Sequence, residues 1–311
     1  MSKNVLFFGT PKIARSVLEG LLEITDINVV GVVTKIDKPV GRNKENIFSE
    51  VKKLALEKNI PLFQPNKLIE IKEKLLSIDV DLAICCAYGN LIPQSILDIP
   101  KYKCINIHTS LLPRWRGGAP IHWAVISGDK KTGITFMYMD KGLDTGNIIE
   151  QFSVDISPND TYRTVYDKLA KLAYEKIKDK VNDFFRSNVK VAKQDDKNAT
   201  YANNITPEIE KINWNTNGEN IINLIHGLFD EPIAYSVYEN QRIKIYDAFF
   251  LNEKTLNNPG TITNISKEGI KVSCNNGTIV ITKLQIPGKK PISVKELING
   301  KHFFKIEEYF F

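Results

Sequence analysis

The sequence predicts two domains: a mostly parallel α/β sheet followed by a smaller antiparallel β domain. Three observations predict it. Short apolar runs alternate with helix-like stretches through roughly the first 110 residues, the pattern of βαβ units. Two central runs are apolar on both faces, as a sheet covered by helices requires. The chain then changes character, and TITNI, GIKVSC and TIVITKLQI follow one another with only Gly- and Asn-rich turns between them.

In chain order, residues 4–8 read as a buried strand ending at Gly9. Residues 11–22 read as a helix with Thr10 as its N-cap and Pro11 at the first helical position. Residues 28–34 form a second strand, 48–58 and 67–76 two helices, 82–87 an apolar strand and 104–108 another. Residues 134–139 make a further strand-like run. In residues 160–186, Leu169, Leu172, Ala173, Ile177, Val181 and Phe184 repeat at three- and four-residue steps, which predicts a long amphipathic helix. The polar, irregular stretch 188–207 reads as a linker. This divides the chain into an α/β domain over 1–187 and a small antiparallel barrel or sandwich over 208–311, with a short helix at 218–227. Asn275-Asn276-Gly277 before a β-branched run signals a hairpin.

Composition narrows the function classes. The chain has 311 residues, 42% hydrophobic and 25% charged, a soluble globular balance. No run approaches the roughly 18 apolar residues of a membrane span. MSKNVLFFGTP lacks the core and cleavage site of a signal peptide and reads as the first strand. Cys85, Cys86, Cys104 and Cys274 include no CxxC pair, so buried reduced thiols and a cytoplasmic location are expected. Net charge is +6. Residues 1–206 hold 30 basic and 24 acidic residues, and residues 207–311 hold 12 of each, so a polyanionic partner is to be sought first on the amino-terminal part.

The richest stretch runs from Cys104 to Asn147. Asn106 and His108 lie two apart on a strand, so their side chains share a face. A Pro/Gly/Arg loop follows, and the next strand ends in a Gly-rich turn carrying Asp144. An imidazole that accepts a proton, an amide that donates to an oxyanion and a carboxylate that orients the imidazole together suit acyl transfer to an amine. The alternative is that Asn106 and His108 satisfy loop carbonyls while Asp144 caps a turn. Cys104 shares the face by parity and reads as packing. Ser110 and Thr109 stand near His108, but the G-x-S-x-G elbow of a serine hydrolase is absent. His122, His226 and His302 are far apart without Cys/His partners at ligand spacing, so no metal is expected. FFGTP is not a dinucleotide fingerprint. The segment 35–53, with six basic residues against three acidic, reads either as a solvated loop or as a phosphate-backbone contact centred on Arg42 with Lys35, Lys38 and Lys44. Lys289 and Lys290 in the C-terminal region invite a similar but weaker oligonucleotide-binding reading.

These residues also carry a resemblance. Asn106-Ile107-His108 followed by SLLPRWRGGAPIHWA, then MDKGLDTG, together with FFGTP, KPVGR, FQP, AYGNLIP and PGKK, resembles the 10-formyltetrahydrofolate-dependent formyltransferase family along the whole chain. The resemblance implies a Rossmann-like, mostly parallel sheet as formyltransferase domain, followed by a small C-terminal OB-like β-barrel. It implies that the formyl group of 10-formyltetrahydrofolate passes to the α-amino group of methionine on initiator tRNA. Asn106 would bind the formyl oxygen, His108 would assist amine deprotonation, and Asp144 would orient His108. Ser110, Leu111, Leu112 and Pro113 match the folate-binding segment. Ala87, Tyr88, Gly89, Asn90, Leu91 and Ile92 would wall the pterin pocket, with Asp140 to Asp144 closing it. The loop with Arg42 would meet the tRNA acceptor arm and the barrel its body. No metal or membrane is implied, and a monomer is expected. The alternative acceptor is a small amine such as an amino sugar nucleotide or glycinamide ribonucleotide.

Overall fold

A computed structural model describes residues 2–40, 45–186, 188–253, 255–300 and 302–311. The chain runs β1 (Lys3–Gly9), α1 (Lys12–Leu22), β2 (Ile27–Val33), β3 (Lys38–Val40), β4 (Glu45–Ile47), α2 (Glu50–Glu57), β5 (Leu62–Phe63), α3 (Lys72–Leu76), β6 (Leu82–Cys86), α4 (Gln94–Leu97), β7 (Cys104–His108), α5 (Pro120–Ile126), β8 (Lys131–Tyr138), β9 (Ile148–Asp155) and α6 (Tyr162–Lys180). It continues through α7 (Pro207–Glu210), α8 (Gly218–Gly227), β10 (Tyr235–Tyr238), β11 (Gln241–Leu251), β12 (Ile262–Ser266), β13 (Gly269–Cys274), β14 (Gly277–Gln285), β15 (Ile292–Ser293) and α9 (Val294–Leu297). Two compact units result, one of residues 1–120, 132–154 and 166–202, the other of residues 121–131, 155–165 and 203–311.

The first unit holds the sheet β5-β2-β1-β6-β7-β8-β9. β5, β2, β1, β6 and β7 are parallel neighbours, and β8 turns antiparallel to β7. Chain order runs outward from β1 through β2 to β5, then restarts on the other side with β6. The switch point therefore lies between β1 and β6, where ligands enter at the carboxyl ends of strands. β6 and β7 are buried along their whole length, which needs cover on both faces and explains why their apolar runs do not alternate.

Helix α1 starts with Pro11 at its N-cap and no side-chain cap. Thr10, the expected cap, instead donates from Oγ1 to the Tyr88 carbonyl at 3.2 Å, tying the loop after β1 to the loop after β6. Helix α2 has a conventional cap, Ser49 accepting from the Lys52 amide at 3.1 Å. The helix expected over 67–76 begins as a 3₁₀ turn, Leu68–Ile71.

In the second unit the sheet runs β10-β11-β14-β13-β12, with β15 beside β14. The Asn275-Asn276 hairpin forms where expected, pairing Cys274 with Gly277. The expected closed barrel does not form: among the described residues no ladder joins β10 to β12. Residues 307–311 bond to both open edges instead. Val237 and Phe311 exchange amide hydrogen bonds of 2.9 and 2.8 Å, and the Phe310 amide donates to the Gly260 carbonyl at 2.9 Å. An edge occupied this way is protected from further strand addition without closure.

Ile281 is fully buried on β14 between Ala248 of β11 and Ile270 of β13. Ile281→Ala should cost about 2–5 kcal/mol, the range for a buried aliphatic side chain that leaves a cavity. Urea unfolding followed by tryptophan fluorescence measures it. A loss under about 1 kcal/mol would show that this strand packs loosely.

Candidate active site

Strand parity brings Cys104, Asn106 and His108 to one face of β7. Cys104 lies deepest, its Sγ 3.4 Å from Met139 Sδ, and serves packing. Asn106 and His108 are 9% and 6% exposed. Asp144 arrives from the turn after β8 and meets both. Its Oδ1 accepts from Asn106 Nδ2 at 3.3 Å. Its Oδ2 accepts from the Gly117 amide at 2.9 Å and lies 3.6 Å from His108 Nδ1. The amide, imidazole and carboxylate singled out in the sequence thus form one cluster.

The other imidazole nitrogen fixes the tautomer. His108 Nε2 lies 2.9 Å from the Trp115 carbonyl oxygen. A carbonyl only accepts, so Nε2 carries the hydrogen and Nδ1 is left as the nitrogen able to take a proton. The proton-accepting atom therefore faces Asp144.

Both residues that hold the ring adopt left-handed backbone, Trp115 at φ 64 and Asp144 at φ 51. Asp tolerates this conformation better than most residues, whereas for Trp it is an outlier. Gly117, at φ +121, must be glycine: a Cβ there would lie 2.8 Å from the Ala202 carbonyl oxygen. Its amide is thus free to reach Asp144.

Residues 188–202, expected to be a linker, belong to the first unit. Gln194, 5% exposed, donates from Nε2 to the carbonyls of Asp144 and Gly146, both at 2.8 Å. Its Oε1 accepts from Arg116 Nε and Nη2 at 3.0 and 2.9 Å. Arg116 is buried and also pairs through Nη2 with Asp196 at 2.8 Å. Thr200 Oγ1 accepts from the Trp115 amide at 2.9 Å. None of Trp115, Arg116, Gln194 and Thr200 was picked out from the sequence. The Arg-Gly-Gly of the loop hinted at Arg116; Gln194 and Thr200 stand in a polar stretch with no periodicity to flag them.

The residues of the expected folate segments fall into two groups. Ala87, Gly89, Asn90 and Leu91 are exposed, with Ala87 at φ 45 and Gly89 at φ 76. The Tyr88 and Ile92 side chains turn inward to the core, Tyr88 edge-on to Phe8 at 5.7 Å. Leu112 is likewise buried, and Ser110 Oγ is spent on the Arg114 carbonyl at 2.6 Å, while Leu111 and Pro113 are half-buried. Asp140 caps its own turn, accepting from the Gly142 amide at 2.9 Å and Thr145 Oγ1 at 2.7 Å. Lys35 is half-buried near Gly89, where an added Cβ would meet its Nζ at 2.5 Å. Arg42, Lys44 and the side chain of Lys38 lie outside the described residues. Lys289 and Lys290 are exposed in the second unit. No group of three or more His, Cys, Asp or Glu side chains suited to a metal ion occurs among the described residues, and no helix among them is long and apolar enough to cross a membrane.

Two family models match the chain, one described as formyl transferase over residues 3–181 and one as formyl transferase, C-terminal domain, over residues 204–302. The chain belongs to the formyl transferase family. Within it, methionyl-tRNA formyltransferase of Malacoplasma penetrans is 45% identical over 305 residues, covering 98% of this chain and 96% of the relative. Methionyl-tRNA formyltransferase of Clostridium novyi is 42% identical over 300 residues, covering 96% of each. Among solved structures, an N-formyltransferase from Helicobacter canadensis in complex with folinic acid and dTDP-3-aminofucose superposes with a TM-score of 0.68 at 22% identity, covering 90% of this chain and 98% of that one. A sugar 3N-formyl transferase superposes at 0.66 with 23% identity, covering 93% and 99%. These two share the fold.

Burial pushes the Cys85 thiol from its ordinary 9.0 up to about 12, opposed by a hydrogen bond to the Tyr88 backbone and assisted by the Asp144 charge. Cys86 and Cys104 are raised by burial too. No thiolate is therefore offered beside the cluster at neutral pH. A thiol reagent at pH 8 should find no fast-reacting cysteine in the native chain and four after denaturation. Because the folded Cys85 value lies above the unfolded one, its contribution to stability is complete below about pH 9 and is lost as pH rises toward 12. A thiol titrating rapidly in the native protein at pH 8 would contradict this.

Proposed function

We infer that this chain transfers the formyl group of 10-formyltetrahydrofolate to the α-amino group of methionine carried on initiator tRNA. The observation that carries the reading is the cluster at the end of β7, where Asn106, His108 Nδ1 and the Asp144 carboxylate converge. The relatives named above, matched across nearly their full length, favour charged tRNA as the acceptor.

The exposed residues Ala87 and Gly89 to Leu91 suit a flat heterocycle that needs polar partners along one edge and apolar contact on its face. The donor is assigned there in this reading, with the turn of Asp140 to Asp144 and the segment Ser110 to Pro113 as its other walls. Tyr88, Ile92, Leu112 and Ser110 support that wall from behind. When bound, the donor supplies an activated formyl group on N10.

The chain's residues then divide the work. The second amide hydrogen of Asn106, beyond the one given to Asp144, donates to the negative charge that develops on the formyl oxygen; such a donor contributes about 3 kcal/mol. His108 Nδ1 takes the proton the amine loses as its nitrogen bonds the formyl carbon, and that proton passes on to N10 as the carbon–N10 bond breaks and tetrahydrofolate leaves. Asp144 sets its charge beside the ring that gains the proton, and the Trp115 carbonyl keeps Nε2 as donor.

The second unit is taken, in the same reading, as an OB-like tRNA-binding module acting in a cytoplasmic monomer. Lys289 and Lys290 project from a turn shaped by Gln285, whose Nε2 donates to the Lys289 carbonyl at 2.7 Å. Arg42, with Lys35, Lys38 and Lys44, is the proposed contact to the acceptor arm.

Formyl transfer to initiator and elongator Met-tRNA, with an amino sugar nucleotide as a third acceptor, tests the assignment. Transfer to initiator Met-tRNA alone, lost in His108→Ala, is expected. Faster transfer to the sugar nucleotide would sink it. Asp144→Asn keeps a residue suited to left-handed backbone while removing the charge, so kcat should fall by about 100-fold or more with folate binding retained. Near-normal turnover would remove Asp144 from the mechanism.

Arg42→Ala should raise the KM for tRNA and reduce the slope of affinity against log salt by about 1, the effect of one lost phosphate contact. Unchanged tRNA kinetics across a salt series would dismiss the loop contact.

A further inference from the structure

Three features of the first unit coincide. The two partners of His108 belong to Trp115 and Asp144, both in left-handed backbone. One short segment, residues 194–202, binds both of them. Each of its contacts constrains a residue that faces the imidazole or the peptide beside it.

Gln194 shows this best. Its two amide hydrogens go to two carbonyls, of Asp144 and Gly146. Its oxygen accepts twice, from Nε and Nη2 of Arg116. All four hydrogen-bonding sites of a buried carboxamide are used, and the amide cannot be reversed without setting donors against the guanidinium. Arg116 itself is buried, and its charge meets Asp196 at 2.8 Å. Asp196, Arg116 and Gln194 thus form a chain ending on the carbonyl of the residue whose carboxylate faces the imidazole.

The other end of the segment treats Trp115 the same way. Thr200 Oγ1 accepts from the Trp115 amide at 2.9 Å. The Thr200 carbonyl accepts from the Arg116 amide at 2.8 Å, and the Ala202 amide donates to the Arg116 carbonyl at 2.7 Å. This bridge holds the peptide that follows the Trp115 carbonyl, the group bonded to His108 Nε2.

We propose that Gln194 and Thr200 are positioning residues for formyl transfer, the two ends of a strap that fixes both groups facing the imidazole nitrogens in conformations they would not hold alone. The proposal rests on the assignment of His108 as the proton acceptor. Left-handed backbone in a non-glycine residue persists where its surroundings over-determine it. Without the strap, Asp144 and the Trp115 carbonyl relax, and the ring loses the two neighbours that set its orientation and tautomer. Neither residue touches substrate, so the strap acts on the chemical step and leaves binding alone.

Gln194→Glu is the sharpest variant. It has the same shape and keeps an acceptor for Arg116, but it replaces two donors with an oxygen facing two carbonyls. Thr200→Val removes the acceptor at constant shape, and Thr200→Ser restores it. Steady-state kinetics with Met-tRNA, 10-formyltetrahydrofolate binding and thermal unfolding are measured on each full-length chain, with His108→Ala alongside. Gln194→Glu and Thr200→Val should each lose about 10- to 100-fold in kcat, the effect of a small misplacement of reacting groups. KM for tRNA and folate binding should stay within about twofold, and Thr200→Ser should recover kcat. Three results overturn the proposal: kcat near wild type in both variants, losses in KM and folate binding that match the loss in kcat, or a Thr200→Ser variant as slow as Thr200→Val. Misfolding of Gln194→Glu leaves the Thr200 pair to decide, and misfolding of both Gln194→Glu and Thr200→Val would overturn it as a purely structural role. If His108→Ala retains activity, the catalytic assignment fails. If His108→Ala is dead while Gln194→Glu and Thr200→Val turn over normally, only the strap fails.

Discussion

The imidazole of His108 has a fixed neighbour at each nitrogen, and the first unit is organised around that arrangement. One nitrogen meets a backbone carbonyl at 2.9 Å and the other faces a carboxylate at 3.6 Å. Neither partner comes from the strand carrying His108. The carbonyl follows seven residues later in an irregular loop, and the carboxylate is delivered by the turn after the next strand. Both sit in left-handed backbone, which costs on the order of 1–2 kcal/mol per residue away from glycine. A net hydrogen bond contributes about 1 kcal/mol, so several are needed to hold two such residues in place. The segment after α6 supplies them, which explains why an irregular stretch of polar residues packs into the unit instead of leaving it.

Arg116 makes the same point through its electrostatics. It is 2% exposed, and its carboxylate partner Asp196 is 77% exposed. Desolvating a guanidinium for a partner that stays in water is a poor way to gain stability, since the burial cost offsets the Coulombic return. Its geometry gives the better account. A rigid fork placing two N–H groups on a single amide oxygen sets the orientation of Gln194. A lysine, with one mobile ammonium, would not define that plane.

The sequence discloses the part of this site that follows local periodicity. Asn106 and His108 share a face because a strand alternates, and the strand was visible as an apolar run. Asp144 was reached through its neighbourhood and the family resemblance, because no periodicity links residues 38 positions apart. Gln194 and Thr200 were hidden, since polar residues in an irregular stretch look alike whether they face solvent or a buried carbonyl. Tyr88 erred the other way. Its motif lies on the candidate pocket wall, yet its ring packs on Phe8, because left-handed Ala87 and Gly89 on either side turn the chain and send that side chain inward. The second unit shows a similar limit. Strand runs and the Asn-Asn-Gly hairpin were readable, but whether the sheet closes depends on a long-range pairing, and residues 307–311 occupy the edges instead.

The described root of the basic loop is tied to the ends of β2 and β1. Lys52 pairs with Asp37, which also accepts from Gln64 Nε2 at 3.1 Å. The Lys35 carbonyl accepts from Gln64 as well, at 2.7 Å. Ser49 Oγ lies 3.0 Å from Thr34 Oγ1, Thr34 reaches Thr10 at 3.4 Å, and Thr10 donates to the Tyr88 carbonyl. A row of hydroxyls thus runs from the cap of α2, across the ends of β2 and β1, to the loop proposed as the donor wall. Salt weakens a contact between exposed charges and phosphate, but it does little to part-buried hydrogen bonds between neutral hydroxyls such as those of Ser49, Thr34 and Thr10. On the proposed reading, attraction of the loop for RNA would rest on Lys and Arg, whereas the placement of its described root rests on Thr, Ser and Gln. The two are separable in kind: removing a loop cation would act on the encounter with RNA, whereas disturbing the hydroxyl row would act on how the described root is seated at the ends of β2 and β1.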